Sequence, residues 1–517
     1  MNWKVIWRSL KHGEMRKKIF AVLGIIVVFR ILAQIPIPLS DPTTLRDLLD
    51  TLFTATNDTQ LLGFLDTLSG GALANFSIML IGLGPYINAS IIMQLLTQAI
   101  PKLEALNKEG EYGRKKINQI TRMLTVPLAI IQSIGAVVLV RQTAQQVSGI
   151  DITAGATLGT WVLMVTALTS GAVLLMWLGE LITEQSIGNG ISLLITASIV
   201  SQLPATIASI TTSVFSGTES VTFFGRTINY GSESLQVALI ILAFVVLTTW
   251  VVVKLNEAQR RITINYAKRV QGNRAYGGVT TTLPVKLISA GVIPIIFAVA
   301  FLSVPSFAGQ ILSESRYADT ADHVTRIFQN PTSQYLREVT DPRTTQILNI
   351  GEPSPEEAAI GIPAAYSLEP LIYPATYFLL IVMFTYFYTS ITFNAKEIAE
   401  NLQKQGGFIE GVRSGKDTEK YLRTIVTRLT FFGSISLGLI AVAPIVGQYY
   451  IQTNILIGGT SVLILVAVAL ETLRQIESRA LMITYDDYSS PDYFEGDDSK
   501  KKKTKKKKRI SLRRKSA

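Results

Sequence analysis

The chain has 517 residues, 48% of them apolar and 16% charged, with no cysteine and two histidines. The missing thiols exclude disulfides, thiolate metal sites and a cysteine nucleophile. The histidines, His12 and His323, lie outside the apolar stretches, which excludes a histidine-bound metal centre or a Ser-His-Asp triad within them. The net charge of +11 belongs largely to one segment, because Lys500–Lys515 carries twelve positive charges and the rest is close to neutral.

A helix crosses about 30 Å of hydrocarbon with roughly 20 apolar residues. Ten stretches qualify, at about 19–39, 76–100, 123–141, 158–182, 187–210, 235–253, 283–308, 368–393, 429–451 and 453–473. Only Thr183–Ser186 separates the fourth from the fifth, and the last two nearly touch. The first stretch lacks a small-residue cleavage site, so it is expected to be retained.

Short cytoplasmic loops collect Lys and Arg. The leading segment carries Lys4, Arg8, Lys11, Arg16, Lys17 and Lys18, and loop 2/3 carries Lys102, Lys108, Arg114, Lys115 and Lys116. Loops 6/7 and 8/9 are basic too, whereas loop 1/2 has only Arg46 and loop 5/6 only Arg226. This alternation predicts both termini on the cytoplasmic face of a cell membrane. Segment 309–367 holds more acids than arginines and reads as a loop-rich external insertion, since long external segments translocate regardless of charge.

Ten spans split into five and five give halves of opposite orientation, an arrangement that often places a pathway at broken helices in matching positions. The second span reads Gly82-Leu83-Gly84-Pro85 and the seventh, its counterpart, Gly291-Val292-Ile293-Pro294. Of the ionisable residues in the spans only Arg30 is deep, since Glu180, Glu184 and Glu471 sit at span ends. Ion and metabolite carriers keep such groups at mid-membrane. The broken spans are instead rich in Ile and Leu, and an aliphatic constriction closes by dewetting. That suits a large and chemically varied substrate.

Loop 6/7 alternates with period two over Arg261–Tyr266, turns at Gln271-Gly272-Asn273 and predicts a return strand over Tyr276–Leu283. It reads as a basic hairpin, with loop 8/9 as a second finger punctuated by Gly406-Gly407 and Gly411. Gly411–Lys416 is no phosphate loop, because Glu410 stands in place of the first glycine and Asp417 in place of the Ser or Thr that would hold magnesium.

Together these residues resemble the SecY family, the channel-forming subunit of the bacterial protein translocase, from about Arg16 to about Met482. The resemblance rests on Phe29-Arg30, Ile35–Pro38, Leu68–Leu73, Gly84–Ile87, Ala89–Ile92, Lys108–Glu111 and Met176–Glu180. It continues through Ile187–Ser192, Gln259–Ile262, Asn265–Arg269, Leu283–Lys286, Ala290–Pro294, Phe393-Asn394, Thr427–Thr430 and Gly458–Ser461, in the family's order.

The resemblance implies an all-α polytopic membrane protein of ten transmembrane helices, in two inverted five-helix halves around a central pore, with a small plug helix and a cytoplasmic β-hairpin-like loop. Residues 1–210 form the N-terminal half with the plug at about 64–75, and 211–234 connect the halves outside. Residues 235–474 form the C-terminal half, with cytoplasmic loops 254–282 and 394–428. Residues 475–517 are a polybasic tail expected to be disordered, lying on anionic lipid or touching ribosomal RNA.

The implied pore ring is Leu83 and Ile87 in span 2, Ile191 and Ile195 in span 5, Ile296 in span 7 and Ile464 in span 10. Leu83 stands where the family commonly has isoleucine. The implied plug includes Phe64, Leu65, Leu68, Ser69, Gly70, Gly71 and Ala72. Spans 2/3 would part from 7/8 to release signal sequences and membrane segments into lipid. Arg260, Arg261, Lys268, Arg269, Arg413 and Lys416 would dock the SecA motor ATPase and the ribosome, with Ser414 replacing the family's proline. SecE and SecG are the implied companion subunits and signal-sequence-bearing polypeptides the substrates, with no cofactor, no metal and no catalytic residue. Two other classes fit less well. A solute transporter has little use for large cytoplasmic fingers, and an enzyme needs a constellation that the sequence lacks.

Overall fold

The structure, a computed structural model, describes residues 13–37, 69–72, 76–148, 157–216, 220–223, 226–229, 234–266, 269–271, 274–276, 280–312, 328, 369–451 and 459–489. The first half comprises α1 (Gly13–Leu32), α2 (Gly84–Ala99), the short α3 (Pro101–Lys108), α4 (Glu111–Ser148), α5 (Leu158–Glu184) and α6 (Gly190–Ser216). A small antiparallel pair, β1 (Ser220–Phe223) and β2 (Arg226–Asn229), precedes α7 (Ser234–Glu257). Four strands follow, β3 (Gln259–Tyr266), β4 (Arg269–Gln271), β5 (Arg274–Tyr276) and β6 (Thr280–Lys286). The chain then continues through α8 (Ile293–Leu312), α9 (Glu369–Thr392), α10 (Ala395–Lys404), β7 (Gly407–Ile409), α11 (Lys416–Ile451) and α12 (Gly459–Ser489).

Each of the ten apolar stretches falls on a separate helix. Among the described residues, four helical stretches are long and apolar enough to cross a membrane: Glu111–Arg141, Leu158–Glu184, Ile372–Lys404 and Lys416–Val446. Several of their buried hydroxyls are satisfied within the helix. Thr125, Ser133 and Thr385 each donate to the carbonyl four residues back, the partner available where water is excluded. The short link between spans four and five is a true break, since Ser186 has a φ of +57° and its N–H donates to Thr183 O. Within the first half α2 packs on α4, α4 on α5 and α5 on α6. Within the second, α8 packs on α9, α9 on α11 and α7 on α12.

The elements of loops 6/7 and 8/9 depart most from expectation. Loops 6/7 and 8/9 are not two fingers but one platform, because β7 adds to β3 in a sheet of order β6-β3-β7. Ile264 lies opposite Ile409, and Tyr266 opposite Gly407. Alternation along β3 sends Ile262 and Ile264 into a satellite core with Val285, Leu402, Ile409, Leu422, Ile425 and Val426. A three-residue strand such as β7 carries too little pattern to be read from sequence. Its Gly407 packs closely, since a Cβ there would lie 3.1 Å from the Tyr266 ring.

Three boundaries are corrected. The return strand is β6, ending at Lys286, so helix α8 begins at Ile293 rather than near 283. Leu283-Pro284-Val285 had the apolarity of a span, but Val285 is buried against the satellite core, and Pro284 is tolerated because β6 is an edge strand. Loop 8/9 ends early, α11 starting at Lys416. Residues 475–489 continue α12 as helix rather than opening the disordered tail. The remainder of the tail and nearly all of 309–367 lie outside the described residues.

Candidate functional site

At the centre of the bundle one buried apolar cluster draws on α1, α2, α5, α6, α7, α8, α9, α11 and α12. Leu83, Ile87, Ile195 and Ile296 are buried members of it, and Ile191 and Ile464 are half-buried and packed against it. The structure therefore brings all six ring residues of the sequence analysis into one cluster, drawn from both halves.

Their positions follow from how four helices begin. Before α2 the chain turns at Gly82, with φ +63°, and Pro85 then occupies the first turn, where its missing N–H costs nothing. Before α8 it turns at Gly291, also at φ +63°, with Pro294 in the corresponding place. Ile87 and Ile296 thus stand at the same distance from equivalent turns. At the start of α6, Gly190 N–H donates to Thr183 Oγ1 at 2.9 Å, and Ile191 N–H to Asn189 Oδ1 at 3.1 Å. Gly190 has no room for a Cβ, which would meet Gly179 O at 1.8 Å, so α6 starts against the backbone of α5 and aims Ile191 and Ile195 at the centre. Ile464 lies in the second turn of α12.

The likeness of the two turns extends outward. Ile78 N–H donates to Ile35 O at 3.1 Å, and Leu287 N–H to Ala258 O at 2.9 Å, each tying the approach segment to the chain leaving the preceding helix. A Cβ on Gly171 of α5 would lie 1.9 Å from Ile78 O, and one on Gly433 of α11 would lie 2.4 Å from Leu287 O. In each half, then, a glycine on the fourth span admits the carbonyl of the approach segment. Nothing in the sequence marked Gly171 or Gly433, because glycine is ordinary in membrane helices.

The halves meet along two seams. Helix α8 packs on α2 and α4, and on the other side α12 and α7 pack on α6. On one side of the first seam, α8 and α9 are joined by edge-to-face rings, Phe297 with Phe384 at 6.0 Å and Phe297 with Tyr388 at 6.5 Å. On its other flank Arg122 of α4 pairs with Glu180 of α5 at 2.6 Å.

Of the plug residues, Phe64, Leu65 and Leu68 lie outside the described residues. Ser69 and Ala72 are fully buried, and Gly70 and Gly71 have φ of +74° and +84°. Of the basic docking residues, Lys268 lies outside the described residues and Arg269 is on β4. Arg260 and Arg261 are adjacent in sequence but on opposite faces of β3. Arg260 shares the face of Ile262 and lines a cavity of about 610 Å³ with Asp417, Lys420 and Arg428 of α11. Arg413 and Lys416 are exposed. The loop bearing them keeps a defined shape without the proline: Thr418 Oγ1 donates to Arg413 O at 2.8 Å, between Gly411 and Gly415 at φ +78° and +101°.

Comparison with known proteins agrees with this architecture. A family model described as SecY matches residues 77–473. The chain is 38% identical over 487 residues to the protein translocase subunit SecY of Streptomyces galbus, covering 93% of this chain and 98% of the relative. In fold it is similar to a solved protein-conducting channel (TM-score 0.57, 18% identity, 88% of this chain and 90% of that one). It is also similar to a SecY whose plug domain stabilises the closed state and maintains a membrane seal (TM-score 0.55, 17% identity, the same coverage).

Proposed function

The chain belongs to the SecY family, and from that premise we propose that it is the channel subunit through which unfolded polypeptides cross the membrane. The observation that carries the route is the convergence of six aliphatic side chains from both halves on one central cluster. Such a waist presents no ligands to an ion and yields to a passing chain of any composition. At rest the aliphatic ring and the plug seal it.

The seam between α2/α4 and α8/α9 is the lateral gate, through which signal sequences and membrane segments leave for lipid. Its support is that α2 packs on α4 and α8 on α9, the latter pair joined by the Phe297–Phe384 rings, so the two flanks can separate as units. The β6-β3-β7 platform and the basic residues of its two loops, Arg260, Arg261, Lys268, Arg269, Arg413 and Lys416, form the dock for SecA and the ribosome. The channel is passive, driven by that motor, by chain elongation or by the membrane potential. SecE and SecG complete the complex in the cell membrane, with both termini cytoplasmic and the basic tail against anionic lipid or ribosomal RNA.

A photocrosslinker at Ile191 or Ile296 tests the route. With a secretory precursor stalled halfway across, adducts to the precursor are expected at both positions. Their absence, with adducts from a control position on the platform intact, sinks the assignment.

A further inference from the structure

Arg30 is a cation at the end of the apolar helix α1, and a cation in such a setting is costly unless it is paired or reaches water. It is half-buried in the last turn of α1, and its Nη1 donates to the carbonyl of Gly70. Gly70 lies 40 residues further along, within the described end of the plug. A hydrogen bond from a guanidinium is about twice as strong as one between neutral groups. A buried carbonyl in a low-dielectric setting needs such a donor.

The opposite wall of the notch is α6. Ser198 and Ser201 lie there, with Ser201 Oγ donating to Ser198 O at 2.6 Å and standing 3.4 Å from Gly70 O. A Cβ on Gly70 would lie 3.1 Å from Arg30 Nη1 and 3.1 Å from both Ser198 Cα and Oγ. Only glycine takes the φ of +74° there and still fits between the two helices. The neighbouring Gly71 has open space around it, so the tight fit is specific to the residue that Arg30 holds.

We propose that Arg30 is the positioning residue of the plug: from α1 its guanidinium clasps the carbonyl of Gly70 against α6 and sets how often the channel rests closed. This rests on the reading of 69–72 as the end of the plug. The clasp is a charged contact on the same carbonyl that Ser201 Oγ reaches at 3.4 Å, so an opening channel has a strong bond to release there.

The test uses the intact complex in proteoliposomes with Ser69→Cys as a reporter, since the chain has no other thiol. Ser69 is fully buried in the resting structure, so labelling by a water-soluble maleimide reads plug displacement. Arg30→Gln is expected to speed labelling about ten- to a hundredfold, the effect of losing a hydrogen bond to a charged group on a two-state equilibrium. Resting ion conductance is expected to rise with it, and Arg30→Lys to fall between. Gly70→Ala keeps the guanidinium but opens the contact from the plug side, and is expected to act in the same direction. Parental labelling and conductance in both Arg30→Gln and Gly70→Ala overturn the clasp. A lower melting temperature with unchanged labelling does the same, since that is what a purely structural arginine produces. If Arg30→Gln fails to assemble, Gly70→Ala alone decides. Deleting 64–72 separates the two readings. If the deletion leaves conductance unchanged, the plug reading falls and the clasp with it. If it raises conductance while the point variants do not, only the clasp falls.

Discussion

The approaches to α2 and α8 share one plan and differ in strength. Both run antiparallel to the chain leaving the previous helix, pass a carbonyl over a glycine of the fourth span, turn at a left-handed glycine and enter a helix with proline in its first turn. Before α8 the pairing is a ladder of seven residue pairs backed by the satellite core. Before α2 it is a single bridge, Pro36 with Ser77, flanked by bonds such as Ile37 N–H to Phe76 O at 2.9 Å. Local opening costs less where fewer backbone bonds and buried contacts must break. The same device thus serves a firm platform at one break and, in the proposed reading, a releasable plug at the other.

Breaking the firm side should have the largest effect. Ile264→Ser removes a buried side chain from the satellite core, where truncating isoleucine costs about 2–5 kcal/mol. Motor- or ribosome-driven transport is expected to collapse, measured as precursor import into vesicles, while resting conductance stays at the parental value. A rise in resting conductance would mean that the platform and the seal are one unit.

The shared element gives an intermediate effect. Gly171→Ala and Gly433→Ala each force a methyl onto a backbone carbonyl, and overpacking costs about 1–3 kcal/mol. Gly171→Ala should lower the melting temperature of the complex more, because its Cβ meets the carbonyl at 1.9 Å rather than 2.4 Å. The reverse order would count against the two approaches being equivalent.

Ser77→Ala should be the mildest. It removes the bond from Ser77 Oγ to Leu32 O at 3.2 Å and the acceptor of Met79 N–H at 3.1 Å, a loss of about 1–2 kcal/mol. Its expected signature is faster maleimide labelling of the plug without loss of precursor import. Unchanged labelling would show that the side-chain bonds of Ser77 are not what tie the segment before α2.

The parts of this protein readable without a fold are those set by local chemistry. Long apolar runs specify helices wherever water is absent, so each of the ten runs holds a helix, though not always with the bounds that hydropathy gave. Glycine and proline specify the turns at Gly82 and Gly291, because few other residues adopt those backbone angles. The tertiary structure decided what those elements meet. Leu283–Lys286 had the apolarity of a span and became an edge strand, since a satellite core was waiting for Val285. Arg260 and Arg261 looked like one basic pair until the strand sent them to opposite faces. Three residues of β7 fused two loops into one platform, and Arg30 found the carbonyl of a residue 40 positions away. Pairings of that kind depend on which surfaces come together, and no local pattern records them.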